Sequence, residues 1–309
     1  MIVEAQNIAV IYKRALKRMH ITALADFSLV IQDRDIYGIL GPNGAGKTTA
    51  MHVMLGLLRP DKGKVRVMGQ EPYPGSKLFR DVAYVPEEPV YHPYLTVSEA
   101  IDYYYRLYHK GYENKKIKEL IEFVDLKGFE HLRLQKCSKG MKQKVGLVQC
   151  LIGEPKVLFL DEPTRGLDPL TVKKFREVLL ELNKKGTTII LNSHVLSEIE
   201  MMCNRIAILD KGKVAKEGEL NDLVRYDVDR YQVEFSTVDA MPDFLEIKSK
   251  TDTAVKGEIP VRKFQDFIAF ITESKSTLFE ITLKKQSLEE YLFNVISAKK
   301  NEDTSRHHE

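Results

Sequence analysis

The glycine-rich segment at residues 41–48 constrains this chain more than any other feature. It reads Gly-Pro-Asn-Gly-Ala-Gly-Lys-Thr and satisfies the pattern G-x-x-x-x-G-K-[ST] at every fixed position. Its glycines let the backbone curl so that successive amide N–H groups face the phosphates of a nucleotide. In this pattern the lysine reaches the β- and γ-phosphates and the threonine hydroxyl binds Mg²⁺. We therefore predict contacts to the phosphates from Gly41, Pro42, Asn43, Gly44, Ala45, Gly46, Lys47, Thr48 and Thr49.

The phosphate loop lies between a predicted strand and a predicted helix, which is the context this motif requires. Residues 35–40 are mostly apolar and predict a short strand, and residues 49–55 predict a helix whose N-terminus favours anions. Strand and helix patterns alternate again later, with strands predicted at 157–160, 187–191 and 205–210 and helices at 170–184 and 197–202. Such alternation indicates an α/β domain with a largely parallel sheet.

Composition sets broad limits on the class of protein. The 309 residues, 43% of them hydrophobic, allow one large domain and a small one. The net charge of +3, with both signs well mixed, gives no reason to expect a nucleic-acid partner. The three cysteines lack the close spacing of metal ligands, so we expect reduced thiols. Because neither a signal peptide nor an apolar run of about 20 residues occurs, we expect a soluble cytoplasmic protein that reaches a membrane only through a partner.

The chain divides into segments of different character. Short β-like runs dominate residues 1–70, and the first two predict strands at 2–10 and 24–31. A capping box formed by Thr96 and Glu99 begins a helical insertion at about 90–155. We place the end of the nucleotide-binding domain near residue 220. Strands at 231–235, 254–259 and 278–283 and helices at 261–274 and 287–298 then predict an accessory α/β domain over 221–300. The polar residues 301–309 predict a disordered tail.

Two carboxylates follow the apolar strand at residues 157–160. Asp161 and Glu162 would stand at the carboxyl end of that strand, beside the phosphate loop. We predict that Asp161 holds Mg²⁺ and that Glu162 acts as the general base toward the attacking water.

A third motif indicates the family. Residues 137–143, Cys-Ser-Lys-Gly-Met-Lys-Gln, open a helix shortly before the acidic strand. With this segment the chain resembles the ATP-binding subunits of ABC transporters, whose signature reads Leu-Ser-Gly-Gly-Gln. Ser138 and Gly140 match the signature, whereas Lys139 and Met141 depart from it. Physically, Ser138 is suited to cap a helix N-terminus that attracts anions.

The resemblance implies roles for further residues over about 1–220. In the family the signature presses on the γ-phosphate held by the other subunit, and Asp168 lies in the D-loop that contacts that subunit. His194 matches the switch histidine that assists hydrolysis, and Tyr12 matches the aromatic residue that stacks on adenine. Glu87 stands where the family usually has a glutamine facing Mg²⁺. We expect its carboxylate to bind Mg²⁺ as well, although it adds negative charge near the phosphates.

The resemblance also implies a fold and an assembly. The expected fold is a P-loop NTPase with a RecA-like core sheet, an antiparallel β subdomain and a helical subdomain, followed by the small C-terminal extension. We expect two copies, or one copy and a paralogue, to enclose ATP and Mg²⁺ and to drive a separate integral membrane permease at the inner face of the cell membrane. The form of the signature and the C-terminal extension favour the exporter branch.

Two alternatives remain at this level. One is an ABC-type ATPase without a transport role, although such proteins usually carry two ATPase domains or long coiled-coil insertions. The other is a regulatory module in which ATP binding alone is the signal, for which Glu87 and Lys139 leave room.

Overall fold

The computed structural model describes residues 1–14, 19–109, 114–223, 226–238 and 240–285, together with Leu288 and Leu292. The chain forms two compact units, divided between Leu220 and Asn221. The strands are β1 Val3–Arg14, β2 Met19–Ile31, β3 Ile36–Leu40, β4 Lys62–Val67, β5 Val82–Val85, β6 Val157–Asp161, β7 Thr188–Asn192, β8 Arg205–Asp210, β9 Lys213–Glu219, β10 Tyr226–Ser236, β11 Glu246–Lys250, β12 Ala254–Pro260 and β13 Leu278–Lys285. The helices are α1 Lys47–Met54, α2 Val97–Tyr108, α3 Asn114–Phe123, α4 Lys139–Leu151, α5 Pro169–Lys184, α6 Leu196–Met202, α7 Leu220–Leu223 and α8 Phe264–Glu273.

A six-stranded sheet forms the core of the first unit. Its order is β5-β6-β7-β3-β8-β9, and all pairings are parallel except that of β9 with β8. Every residue of β3, β6 and β7 is buried, as expected for parallel strands covered on both faces. The carboxyl ends of these three strands meet at one edge, so the phosphate loop after β3 and the carboxylates after β6 face the same crevice.

A three-stranded antiparallel sheet of order β2-β1-β4 accompanies the core. The pairing of β1 with β2 extends further than the sequence predicts, as far as Arg14 opposite Met19. The sequence predicts a second strand beginning only at residue 24. The pairing of Tyr12 with Ile21, an aromatic and a β-branched residue, favours the extension.

The helical subdomain consists of α2, α3 and α4. The predicted capping box is confirmed: the Glu99 N–H donates to Thr96 Oγ1 at 3.2 Å, and the Thr96 N–H donates to Glu99 Oε2 at 2.8 Å. Asp125 ties this subdomain to the core, because its carboxylate accepts from Lys144 on α4 at 3.2 Å and from Lys174 on α5 at 2.5 Å.

The second unit contains an antiparallel sheet of order β11-β12-β10-β13. Helix α8 packs on one face through Phe267 and Phe270, whose ring centroids lie 5.6 and 5.9 Å from that of Phe235. The predicted helix at 287–298, apart from Leu288 and Leu292, and the predicted tail at 301–309 lie outside the described residues. Within the described part of the chain, no helix has both the length and the apolar character needed to span a bilayer.

Candidate functional site

The backbone of the phosphate loop depends on two of its glycines. Gly41 and Gly46 have φ angles of 151° and 104°, which side chains rarely allow. A Cβ atom at Gly41 would lie 2.3 Å from the carbonyl oxygen of Leu209, and one at Gly46 would lie 2.5 Å from that of Ala23. The loop is thus packed directly against neighbouring backbone. Pro42, Asn43 and Gly44 form its exposed rim.

Lys47 lies on the inner side of this loop. Its Nζ donates to the carbonyl oxygen of Gly41 at 2.7 Å and to that of Pro42 at 3.3 Å. Burial lowers the pKa of Lys47, while the nearby carboxylates of Glu162 and Asp161 act in the opposite direction. The two carboxylates therefore favour a charged ammonium at the position that a phosphate group would neutralise.

Two of the three residues predicted to hold Mg²⁺, Thr48 and Asp161, lie in contact. Thr48 Oγ1, at the start of α1, donates to Asp161 Oδ1 at 3.2 Å. These hard oxygen donors suit Mg²⁺, which proteins hold through one or two side chains together with phosphate oxygens. The described residues contain no cluster of three or more His, Cys, Asp or Glu side chains able to hold a metal.

Glu162 and His194 also lie together, although they come from different strand ends. Glu162 Oε2 lies 2.5 Å from His194 Nδ1 and accepts from the backbone N–H of His194 at 3.4 Å. Glu162 is buried and has a φ of 46°, an uncommon value for a residue with a side chain. This turn directs the carboxylate away from the sheet and onto the imidazole.

The sequence analysis missed two residues that contact Asp161. Asn192 Nδ2 donates to Asp161 Oδ1 at 2.6 Å, and the Tyr84 hydroxyl donates to Asp161 Oδ2 at 3.3 Å. Burial raises the pKa of Tyr84, and the Asp161 carboxylate adds to the increase, so the phenol stays a donor. A signal existed for Asn192, because it is the first polar residue after an apolar strand that ends at the site. Tyr84 lies within an apolar strand and carries no such signal.

Glu87 is placed differently from the other predicted Mg²⁺ ligands. Its carboxylate forms an ion pair with Arg165, and its backbone carbonyl accepts from Gln143 Nε2 on α4 at 2.6 Å. The segment after β5 is therefore held by α4 and by the segment that follows the acidic pair.

The signature residues and Asp168 occupy the N-termini of neighbouring helices. Ser138 Oγ caps α4 by accepting from the Met141 N–H at 3.2 Å. Asp168 caps α5 through the Thr171 N–H at 3.0 Å, and hydrogen bonds from Thr171 lower the pKa of Asp168. Gly140 faces the first turn of α5, where a Cβ would lie 3.2 Å from Thr171 Cγ2. Ser138 and Asp168 are exposed, whereas Lys139, Gly140 and Met141 are half-buried.

Tyr12 extends from β1 toward the start of α1. Its hydroxyl lies 3.5 Å from Thr49 Oγ1, and its side chain is exposed. An exposed aromatic ring beside the loop is available to stack on a planar base.

Comparisons with known proteins show the family to which the chain belongs. The family model described as ABC transporter matches residues 24–165. An uncharacterized ABC transporter ATP-binding protein of Nostoc sp. is 35% identical over 294 residues, which cover 93% of this chain and 86% of the relative. The uncharacterized protein YhcH of Bacillus subtilis, also named an ABC transporter ATP-binding protein, is 34% identical over 91% of this chain and 93% of its own length. The bacitracin transport ATP-binding protein BcrA of Bacillus licheniformis is 30% identical over 86% of this chain and 90% of its own length.

Solved structures show the same fold. The ATP-binding subunit of an ABC transporter superposes with a TM-score of 0.63 at 30% identity, covering 72% of this chain and 92% of that one. A dimeric post-hydrolysis state of the ATP-binding cassette MJ0796, bound to ADP and Pi, gives a TM-score of 0.64 at 24% identity and covers 71% of this chain and 99% of that one. The predicted P-loop NTPase fold is thereby confirmed. The chain belongs to the ABC transporter ATP-binding proteins, and it is an ATP-binding ATPase subunit of that family.

Proposed function

We propose that this subunit hydrolyses Mg²⁺-ATP at composite sites in a dimer and drives export through a separate membrane permease. The observation that carries the proposal is the convergence of Thr48, Asp161, Glu162 and His194 at one edge of the core sheet. The exposed helix N-terminus at Ser138 supports a composite site, because it provides anion-binding N–H groups on a surface that a second subunit can reach. Asp168, exposed at the start of the neighbouring helix α5, lies on the same accessible surface.

In the proposed reaction, a water molecule attacks the γ-phosphorus while the bond to the β-phosphate oxygen breaks. Glu162 accepts the proton of that water, and His194 orients the Glu162 carboxylate through the 2.5 Å contact. Lys47 and the loop N–H groups bind the phosphate oxygens and stabilise the charge that develops on them. Mg²⁺ held by Thr48 and Asp161 would neutralise further charge on the phosphates.

Coupling to a separate permease rests on two observations, whereas the export direction is inferred from the form of the signature and the C-terminal extension. The relative BcrA is named for bacitracin transport, and the similarity extends over 86% of this chain. In addition, a groove opens beside the start of α4, with Pro89, Val90 and Tyr91 on its apolar part and Glu88 and Lys142 on its charged part, and Val90 is 89% exposed. A groove with both apolar and charged residues can receive an amphipathic helix, so we place the permease contact here.

Glu162→Gln tests the catalytic assignment in the purified full chain. The amide cannot accept a proton, so we expect ATP turnover to fall by at least about 100-fold, the usual range for a general base. The affinity for a fluorescent ATP analogue should change little, because the phosphate loop is intact. Glu177→Gln, an exposed position on α5, is the matched control and should retain turnover. Wild-type turnover in Glu162→Gln would disprove the role of Glu162.

The transport assignment needs a different experiment. The tagged chain is purified from detergent-extracted membranes of its source cells, and the co-purifying integral membrane protein is reconstituted with it in vesicles. Uptake of labelled bacitracin into inverted vesicles, with ATP supplied outside, is the first transport assay. ATP-dependent accumulation of a substrate inside the vesicles supports export. If the chain hydrolyses ATP but no integral membrane protein co-purifies with it, a transport role is contradicted.

A further inference from the structure

Asn192 occupies a central position in the site. It ends β7, and β7 lies between β3, which carries the phosphate loop, and β6, which carries the acidic pair. In register it stands opposite Asp161 on one side and Ile39 on the other. Its side chain is fully buried. A buried amide costs free energy unless its donor and acceptor are both satisfied.

Both ends of this amide are used, and each contacts a different functional residue. Nδ2 donates to Asp161 Oδ1 at 2.6 Å, and Oδ1 accepts from the backbone N–H of Glu162 at 2.7 Å. The chemistry of the partners determines the orientation of the amide, since a backbone N–H can only donate and a carboxylate can only accept.

The contact to Asp161 is the shortest that this carboxylate makes with the groups around it. The hydrogen bonds from Thr48 and Tyr84 are 3.2 and 3.3 Å long. The Asn192 amide therefore orients the carboxylate of Asp161 more closely than either hydroxyl does.

The contact to Glu162 acts at a strained residue. A φ of 46° lies in the left-handed region, which is strained for a residue with a side chain. The hydrogen bond from the Glu162 N–H to the Asn192 amide favours this turn, which in turn places Glu162 Oε2 against His194. The same N–H also reaches the backbone carbonyl of Asn192 at 3.2 Å, so it keeps a partner when the side chain is removed.

We propose that Asn192 is a positioning residue that sets the Mg²⁺ ligand Asp161 and the general base Glu162 relative to each other through one side-chain amide. This inference rests on the roles proposed above for those two residues. Asn192 itself does not touch the reacting atoms; it acts through the two residues that do.

Asn204, an exposed residue just before β8, provides a control with the same pattern of hydrogen bonds. Its Nδ2 donates to Asp35 Oδ1 at 3.0 Å, and its Oδ1 accepts from the Ile36 N–H at 2.7 Å, so it too bridges a carboxylate and a backbone N–H. Asn204 lies at the amino end of β3, at the other end of the strand from the phosphate loop. Loss of either amide removes the same pair of hydrogen bonds, but only Asn192 contacts the site.

The experiment compares Asn192→Leu, which keeps the volume and removes both hydrogen bonds, with Asn204→Leu in the purified full chain. Asn192→Ala and Asn204→Ala form a second pair, used if the leucine variants do not fold. For each variant we measure the melting temperature, kcat for ATP, and the affinity for a fluorescent ATP analogue with EDTA and with Mg²⁺. Wild type and Glu162→Gln are measured in parallel.

We expect Asn192→Leu to lower kcat and the Mg²⁺-dependent gain in nucleotide affinity, each by about 10–100-fold, as removal of a group that orients a metal ligand does. Its affinity in EDTA should remain that of wild type, because the phosphate loop is unchanged. Asn204→Leu should lower only the melting temperature.

Three results would overturn the inference. They are a kcat within twofold of wild type for the Asn192 variant, an equal loss of kcat in the Asn204 variant, or a loss of affinity in EDTA as large as the loss in Mg²⁺. Wild-type turnover in Glu162→Gln would overturn the role of Glu162 and this inference together, whereas an inactive Glu162→Gln beside a fully active Asn192→Leu would overturn this inference alone.

Discussion

Glu87 and Arg165 form an ion pair that joins the segment after β5 to the segment after the acidic pair. The sequence predicts that the Glu87 carboxylate binds Mg²⁺, but that role requires it to leave the guanidinium. The two side chains are 33% and 55% exposed, and ion pairs of this kind are worth at most about 1 kcal/mol. Binding of a divalent cation can therefore compete with the pair.

The first prediction follows from this competition. If Glu87 is a Mg²⁺ ligand in the nucleotide-bound subunit, Arg165→Ala should lower the Mg²⁺ concentration that gives half-maximal ATP turnover by up to about fivefold, the equivalent of 1 kcal/mol. Lys185→Ala removes a comparable exposed pair with Glu181 on α5 and should leave this concentration unchanged. An unchanged or higher value in Arg165→Ala would show that Glu87 does not bind the ion.

Much of the fold and site is predictable because local patterns determine it. The phosphate loop, the apolar strand before Asp161 and the capping box at Thr96 are each contained in fewer than about ten residues, so one sequence shows them. The parallel core sheet follows from the alternation of strands and helices. These features were predicted correctly.

Other features depend on pairing between distant segments. Strand β11 is exposed at all five positions and has no alternating pattern, so only its pairing with β12 shows that it is a strand. The contacts of Glu87 with Arg165 and of Asn192 with Asp161 join residues that come together only when the sheet order is known. A single sequence does not contain that order, because β7 lies between β3 and β6 in space but follows both along the chain.

The second prediction concerns the glycines of the phosphate loop. Gly46→Ala should destabilise the protein far more than Gly44→Ala. Both residues have positive φ, but a Cβ at Gly46 would meet the carbonyl of Ala23 at 2.5 Å, whereas a Cβ at Gly44 has nothing within 4 Å. Gly44→Ala should therefore lower the free energy of unfolding only by the strain of a side-chain-bearing residue at positive φ, about 1–2 kcal/mol. Urea unfolding of both variants measures the difference, and equal midpoints would show that the packing against Ala23 does not constrain the loop.

The third prediction tests the composite site. Lys47→Ala removes the phosphate lysine of one half-site, and Ser138→Arg blocks the exposed start of α4, so each variant alone should lack ATP turnover. In an equimolar mixture half of the dimers are mixed, and each mixed dimer contains one intact site. Turnover should therefore recover to about a quarter of the wild-type rate in a symmetric dimer with independent sites.

The control for this mixture is Lys47→Ala combined with the double variant Lys47→Ala, Ser138→Arg, which cannot form an intact site. If the first mixture stays as inactive as this control, neither subunit completes the ATP site of the other.

The fourth prediction concerns the pH dependence of stability. Glu198 on α6 is buried and accepts a hydrogen bond from Thr164, in the segment that follows Asp161 and Glu162. Burial raises the pKa of Glu198, although the Thr164 hydroxyl acts in the opposite direction. A carboxyl whose pKa is higher in the folded state than in the unfolded state stabilises the fold below its unfolded pKa, and this contribution is lost as the pH rises through the folded pKa.

Glu198→Gln removes that ionisation and keeps an acceptor for Thr164. Between pH 4 and pH 8 the melting temperature of wild type should therefore fall relative to that of the variant. Glu177→Gln, at an exposed position on α5, should follow wild type at both pH values. If the melting temperature of Glu198→Gln parallels that of wild type across this range, ionisation of Glu198 costs the folded protein no stability. Burial of Glu198 beside Thr164 then does not destabilise the segment after Asp161 and Glu162.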